Sequence, residues 1–336
     1  MTDTHPSPLA LLWGVLRLTT RAMIGAYALS VLGFLLLRIV IDHDVTLIAL
    51  FNEFIHVLML PAWVLLPFVL VLRWWGLAGL LAPIVLTFTV WYGGMFLPKD
   101  QLPIPPDALT LVSYNLAAAY TPDQVEAVAE VILAIDADIV ALQELSVNAA
   151  EVLADRLGAV YPEQALHPVQ ELGIYGQGMF SRYPISEDTF WRTGLGHQRA
   201  VVTVGEQPIV IYNIHAAFPF VRGGLVIRRE DAQYVLALAA EDTQPVLVVG
   251  DFNTTQRSAD YRRMRAAFDD AFLQVGQGFG FTYRALGRVP LARIDYVFHD
   301  DTFQPLRARV WPESAGSDHH PLVVTLALTR TAEQQN

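Results

Sequence analysis

A mixed α/β (α+β) domain preceded by about three transmembrane helices is the fold class that this sequence predicts. Three observations predict it. First, the 336 residues divide by charge: four basic and four acidic residues before residue 98 cancel, so the whole net charge of −11 falls on the remainder. Second, from Ala22 to Leu97 only Arg38, Asp42, Asp44, Glu53 and Arg73 carry a formal charge, which raises mean hydropathy to +0.37. Third, beyond Leu97 short apolar runs alternate with amphipathic stretches, the pattern of strands and helices that share a core. The expected division is a tail over 1–21, a membrane region over 22–97, a proline-rich linker over 98–107, a mixed domain over 108–330 and a tail over 331–336.

The membrane region contains three apolar stretches, Ala22–Ile41, Phe54–Leu72 and Leu77–Leu97. Each is close to the ~20 residues that a helix needs to cross a bilayer. A signal peptide accounts for one such stretch, not three. Pro61, Pro67 and Pro83 fall inside the stretches, where membrane helices tolerate proline. Arg38 is placed to snorkel toward an interface, and Trp74, Trp75, Trp91 and Tyr92 stand where interfacial aromatics do. Arg17, Arg21 and Arg73 fall on one side, against Arg38 and Lys99 with Asp42, Asp44 and Asp100 on the other. The positive-inside rule then orients the N-terminus to the cytoplasm. Three spans make an integral multi-pass protein whose C-terminal domain lies on the outer, extracytoplasmic face. Glu53 and His56 are too few to define an ion path. The stretch "LPKDQLPIPPD" cannot continue a helix and reads as an extended spacer.

Within the C-terminal domain, "LTLVSYN", "DIVALQE", "IVIYNIH", "PVLVVGDFN" and "ARIDYVF" read as strands. "TPDQVEAVAEVILAIDA" reads as an amphipathic helix with Thr121 at the N-cap and Pro122 at its first position. "RREDAQYVLALAAED" and "SADYRRMRAAFDDAF" read as two more. The absence of cysteine excludes disulfides, thiolate catalysis and cysteine-ligated metal sites. The acidic balance is a poor match for non-specific duplex binding and suits divalent cations.

The strand ends hold the unusual polar residues: Asn115, Glu144, Asn213 with His215, Asp251 with Asn253, Asp295, and Asp318 with His319 and His320. A single Asn or Asp after a strand is ordinarily a turn residue. Glu144 follows an apolar run, where a carboxylate needs a partner. Six strand ends of this kind in one domain point to one site at one sheet edge.

The order "SYN", "LQE", "NIH", "GDFN", "RIDY", "SDHHP" resembles the endonuclease/exonuclease/phosphatase superfamily with its DNase-I-like fold, over essentially the whole chain after the spacer. "GMFSRYPI" resembles a further block of that family. The resemblance implies a four-layer α/β/β/α sandwich and hydrolysis of phosphate esters with Mg²⁺, or Mn²⁺ in its place. It implies that Glu144, with Asn115 beside it, holds the metal, and Asp318 reads as a carboxylate either on the metal or behind its ligands. Where some members carry a further acid, this chain has Ala117, which removes support for a second metal site. His319 is implied as general base, oriented by Asp295. Asp251 would position the water, Asn253 would hold a phosphate oxygen, and His215 would donate to the phosphate or assist the leaving group. His320 alternates to the opposite face. Tyr175, Arg182, Phe218 and Arg222 are candidates for lining the substrate, although Arg182 reads equally as an ion-pair partner. The loop containing Phe218 and Arg222 could read substrate or touch lipid headgroups with its aromatic residues, and it reads equally as a packed lead-in to a helix. His167 and His197 read as packing residues.

The function expected is that of a membrane-anchored phosphodiesterase or phosphatase acting at the membrane surface. A membrane-tethered nuclease shares the same site. A non-catalytic interaction module is the reading from another class. The partners expected are the bilayer and a phosphate-ester substrate, either a lipid headgroup or a nucleic acid, with no obligate protein partner.

Overall fold

The computed structural model describes residues 7–41, 46–100, 102–119, 121–170, 173–285 and 288–329. The terminal tails at 1–6 and 330–336, and Asp42 and Asp44, lie outside the described residues. The chain divides into two compact units, Met1–Gly94 and Met95–Asn336.

The first unit consists of α1 (Pro8–Val40), α2 (Thr46–Glu53), α3 (Ile55–Val71) and α4 (Trp75–Tyr92). Helix α1 begins well before the charge-poor window, because Ser7 caps it by accepting from the Ala10 N–H (3.2 Å) and Pro8 fills its first position. Arg17 and Arg21 are therefore helical and lie 5.9 and 5.0 Å from the Trp74 ring centroid. Arg38, expected to snorkel, is buried and stacks 4.6 Å from the Trp91 centroid. Tyr27 reaches into the α3 ladder, donating to the Leu58 carbonyl (2.9 Å) and accepting from the Ala62 N–H (3.1 Å). Helix α1 and the segment Trp75–Phe96 are long and apolar enough to cross a membrane. The remaining segments, Leu47–Glu53 and Ile55–Val71, are bent by 58° and make a third span only if they are taken together. The sequence expectation of three spans thus becomes two, or three with a broken one.

In the second unit, the strands of the first sheet are β1 (Leu109–Asn115), β2 (Ile139–Gln143), β3 (Glu163–His167), β4 (Gln177–Ser181), β13 (Phe303–Val310) and β14 (Leu322–Leu328). Their order is β13-β14-β1-β2-β4-β3. The second sheet contains β5 (Ile185–Arg192), β6 (Gly196–Val204), β7 (Gln207–His215), β8 (Val246–Asp251), β9 (Asp269–Asp270) and β12 (Asp295–His299), in the order β5-β6-β7-β8-β12-β9. A hairpin of β10 (Tyr283–Ala285) and β11 (Val289–Ala292) stands apart. The helices are α5 (Pro122–Ile135), α6 (Val147–Leu157), α7 (Gly224–Ala239), α8 (Ala259–Arg265) and α9 (Ala271–Val275).

Three apolar cores make this a four-layer α/β/β/α sandwich. Val125, Ile132 and Leu153 of α5 and α6 pack on Val112, Val140 and Phe180 of the first sheet. Leu111, Ile139 and Met179 meet Val202, Ile211 and Val249 between the sheets. Val235 and Met264 of α7 and α8 cover Val210, Val248 and Phe298. The fold predicted from the sequence is the fold observed.

Each sheet holds one parallel pair. Strands β1 and β2 run together with Asn115 opposite Gln143, and β7 and β8 with His215 opposite Asp251. Parallel pairing needs a crossover, which α5 and α7 supply. All four strands therefore end at one edge. Strand β12 is antiparallel to β8 and begins at that same edge, with Asp295 opposite Asp251. The two sheets are joined below the edge by a buried amide contact: Gln143 Nε2 donates to Asn213 Oδ1 (2.7 Å), and Asn213 Nδ2 donates to the Leu142 carbonyl (3.0 Å). Elsewhere in this unit the Gly278 N–H donates to the Met95 carbonyl (2.7 Å). The Phe96 ring meets Phe279 edge-on at 5.0 Å, and Phe279 stacks on Phe281 at 4.8 Å.

Candidate active site

Six strand ends bring Asn115, Glu144, His215, Asp251, Asp295 and His319 together. Glu144 directly follows β2 in the left-handed region (φ 58°), and Asn253 follows β8 likewise (φ 47°). Such conformations are costly for residues with a side chain and concentrate at functional sites.

Asp251 lies at the centre and is buried. Its Oδ1 accepts from the Asn253 N–H (2.8 Å) and its Oδ2 from Asn115 Nδ2 (3.0 Å). The Asn115 amide is fixed because its Oδ1 accepts from the Ala117 N–H (2.8 Å), leaving Nδ2 to donate also to Glu144 Oε1 (3.3 Å). Asn115 therefore presents its N–H side to the carboxylates rather than the oxygen that a metal takes. Asn253 Nδ2 donates to the Ala216 carbonyl (3.0 Å) and toward Asp251 Oδ2 (3.4 Å), so its amide steadies Asp251 rather than standing free for a phosphate oxygen.

His215 donates from Nδ1 to the Ile174 carbonyl (3.1 Å). Its Nε2 then carries the lone pair and faces Glu144 Oε1 at 3.7 Å and Asp251 Oδ2 at 3.6 Å. Burial pushes its pKa down to about 3, helped by the charges of His319 and His197. The donor role expected for His215 does not fit this arrangement: Nε2 is an acceptor.

His319 hydrogen-bonds through Nδ1 to Asp295 Oδ2 (2.9 Å), and its Nε2 points toward Asp251 Oδ2 at 3.7 Å. Burial opposes the imidazolium, but the Asp295 and Asp251 carboxylates outweigh it and raise the pKa to about 10. Burial raises Asp251 to about 7, with Asp295 adding to the rise and His319 opposing it. Glu144 is also raised by burial, opposed by His319 and Asn115 and reinforced by Asp318 and Asp295. The Asp295 and Asp251 carboxylates thus favour the imidazolium at His319, against the base role expected there, and burial favours the neutral acid at Asp251.

Glu144 Oε1, Asp251 Oδ2 and His215 Nε2 are three acceptors facing one another. Asp295 Oδ1 is buried with no hydrogen-bond partner among the described residues. An excess of oxygen acceptors is the donor chemistry that a hard divalent cation satisfies. Asp251, Asp295 and His319 also offer atoms within 4.8 Å of one another. That closeness is already explained by the His319–Asp295 hydrogen bond, so we read those three as a proton-handling group. Asp318 is half-buried beside them, and its charge acts on both Glu144 and His319.

The candidates for lining the substrate divide. Tyr175 is next to Ile174, the His215 partner, and its ring carries Arg192 at 4.0 Å. Phe218 and Arg222 lie exposed on the loop that leaves His215. Arg182 is not brought to the site. Strand β4 runs antiparallel to β2, so Gln177 lies by the site and Ser181 at the far end. Arg182 there pairs with Asp136 and Asp138. His320 turns away and bonds the Trp311 carbonyl (2.9 Å).

Sequence reasoning missed three supports. Thr282 Oγ1 accepts from the Ile294 and Asp295 N–H groups (both 3.2 Å). The Tyr283 ring lies 5.3 Å from that of His319. Ser317 Oγ donates to the Asn115 carbonyl (2.8 Å) and accepts from the His319 N–H (3.0 Å). Only the last had a signal, a serine two residues before a turn N–H.

The model of the Endonuclease/Exonuclease/phosphatase family matches residues 112–319. A protein of Escherichia coli strain K12, described as uncharacterized protein YbhP, is 28% identical over 230 residues, which cover 58% of this chain and 85% of that protein. The crystal structure of a D. rerio TDP2 humanised by 14 mutations matches with a TM-score of 0.56 at 19% identity, covering 66% of this chain and 99% of that one. Sphingomyelinase C from Streptomyces griseocarneus matches with a TM-score of 0.52 at 20% identity, covering 65% and 99%. At these identities the two structures show the shared fold and select no substrate.

Proposed function

This chain belongs to the endonuclease/exonuclease/phosphatase family, and on that premise we propose that it is a membrane-anchored, divalent-cation-dependent hydrolase of phosphate esters at a membrane surface. The single observation that carries the reading is the convergence of Glu144, His215, Asp251, Asp295 and His319 at one sheet edge, in a chain that also holds apolar helices of spanning length.

Glu144 and Asp318 would hold the cation, Mg²⁺ or Mn²⁺, with His215 Nε2 facing the same space. When bound, such an ion supplies Lewis-acid stabilisation of charge on the phosphoryl oxygens. Asp251, oriented by Asn115 and Asn253, takes the proton of the attacking water. His319, fixed by Asp295, gives a hydrogen bond from Nε2 to the phosphoryl group as charge develops. His215 accepts rather than donates. The arginines at 17, 21 and 73 favour a cytoplasmic N-terminus. With three crossings the catalytic unit lies outside.

The test is turnover by the full chain, in detergent and in bilayers, of bis(p-nitrophenyl) phosphate, DNA and phospholipid vesicles, with Mg²⁺ or Mn²⁺ and with EDTA. Cation-dependent release of nitrophenol supports the reading. DNA cleavage in preference to the vesicles would replace it with a tethered nuclease. No turnover of any probe by folded protein would leave the interaction module.

A further inference from the structure

Beyond the proline spacer the exposed large apolar side chains are not scattered. Apart from Val160 and Val289, every large apolar side chain that the described residues after Ile104 expose lies between 218 and 234: Phe218, Phe220, Val221, Val226 and Tyr234. Four of these belong to the loop that leaves the active site directly after His215 and to the first turn of α7. An exposed cluster of this kind, when it is not a core, is a contact surface.

The loop is preformed. The Ala217 N–H donates to buried Asp231 (3.4 Å), the Gly224 N–H to the Val221 carbonyl (2.9 Å), and the Phe218 and Phe220 rings pack on each other at 5.3 Å. Gly223 takes φ 80°, and a Cβ on Gly224 would lie 2.0 Å from the Phe218 carbonyl oxygen. The "FVRGG" sequence is what this turn requires. A contact made by a preformed loop loses little ordering entropy. At the tip, exposed Arg222 adds a positive charge in a unit whose net charge is strongly negative. Aromatic and aliphatic side chains beside a cation are the chemistry that enters the headgroup region of a phosphate-bearing bilayer. The same chain supplies the bilayer, through α1 and the Trp75–Phe96 helix.

We propose that the loop from Phe218 to Val226 docks into the surface of a lipid bilayer, so that the active site opens onto phosphate groups at that surface. This rests on the hydrolase reading given above and narrows its substrate to membrane-borne phosphate esters.

The chain has no cysteine, so single cysteines can be labelled in the full-length protein. Val221→Cys and Phe220→Cys, each carrying an environment-sensitive nitrobenzoxadiazole, would be placed in nanodiscs of phosphatidylcholine and phosphatidylglycerol, with Val289→Cys as the exposed control. Docking predicts a blue-shifted emission at 220 and 221 that brominated acyl chains quench, and a water-like, unquenched label at 289. Emission at 220 and 221 equal to that at 289 would overturn the proposal. So would a shift that depends on the number of proteins per disc and is insensitive to bromination, which would assign the surface to a second copy. Turnover of bis(p-nitrophenyl) phosphate by the same preparations reports separately on the hydrolase reading: its loss sinks that reading, and quenching still decides docking.

Discussion

His319 Nδ1 and Asp295 Oδ2 stand 2.9 Å apart, both buried, in a chain where β12 begins with the aspartate and β14 follows the histidine. The bond fixes which ring nitrogen faces Asp251. Asp295→Asn keeps the shape and removes the charge that holds the imidazolium. Its kcat on bis(p-nitrophenyl) phosphate should fall roughly 10²–10⁴-fold with a small change in KM. Steady-state kinetics check this, and a wild-type kcat would remove His319 from the chemistry.

Glu144→Gln keeps the hydrogen bond from Asn115 but lowers the negative charge facing His215 and Asp251. Mg²⁺-dependent turnover should disappear. In the wild type, Mg²⁺ at about a hundred times its Kd should raise stability by about 2.7 kcal/mol, seen as a rise in Tm that EDTA reverses. The variant should show no such rise.

Much of this site was legible in the sequence because its residues stand at the ends of apolar runs, and parallel pairs bring such ends to one edge. Glu144, Asp251 and Asp295 could be read this way. The atom each residue presents could not. The Asn115 amide is turned by the Ala117 N–H, and the His215 tautomer is set by the Ile174 carbonyl, both backbone contacts with no sequence signal. Arg182 lies at the far end because of strand direction, which the block "SRYPI" does not state. Thr282 holds the start of β12 from a loop whose glycines say only that it turns.

Asp270 and Arg293 form a fully buried two-pronged pair (3.0 and 2.7 Å) two residues before Asp295. Burial raises the Asp270 pKa, but Arg293 and the hydrogen bonds from Tyr261 and Leu273 outweigh it and lower the pKa below the usual value. A lowered folded pKa means that this stabilisation is complete above the unfolded value of about 3.9 and is lost as pH falls through the folded one. Denaturant midpoints should therefore hold down to about pH 4 and drop below it. Asp270→Asn should cost about 3–5 kcal/mol at pH 7, since it leaves a buried guanidinium without its carboxylate, and should flatten the acid limb.

In the membrane-anchored arrangement proposed above, the bent pair of α2 and α3 would decide the face on which the catalytic unit lies, because an even number of crossings returns the chain to its starting side. With three crossings, reporter fusions at the two ends should read opposite sides, the C-terminal one extracytoplasmic. Both ends reading the same side would mean that the 58° bend turns that pair back.

The contact of Met95 and Phe96 with Gly278 and Phe279 bears on where this enzyme can be cut. The loop from Gly278 leads straight into Thr282 and Tyr283, which hold Asp295 and lie against His319. A gene fragment opened at the proline spacer would discard the backbone carbonyl and the ring against which that loop rests. The smallest portable version of the catalytic unit therefore starts at Met95, and a fusion or domain transplant made downstream of it would move the enzyme without one of its own walls.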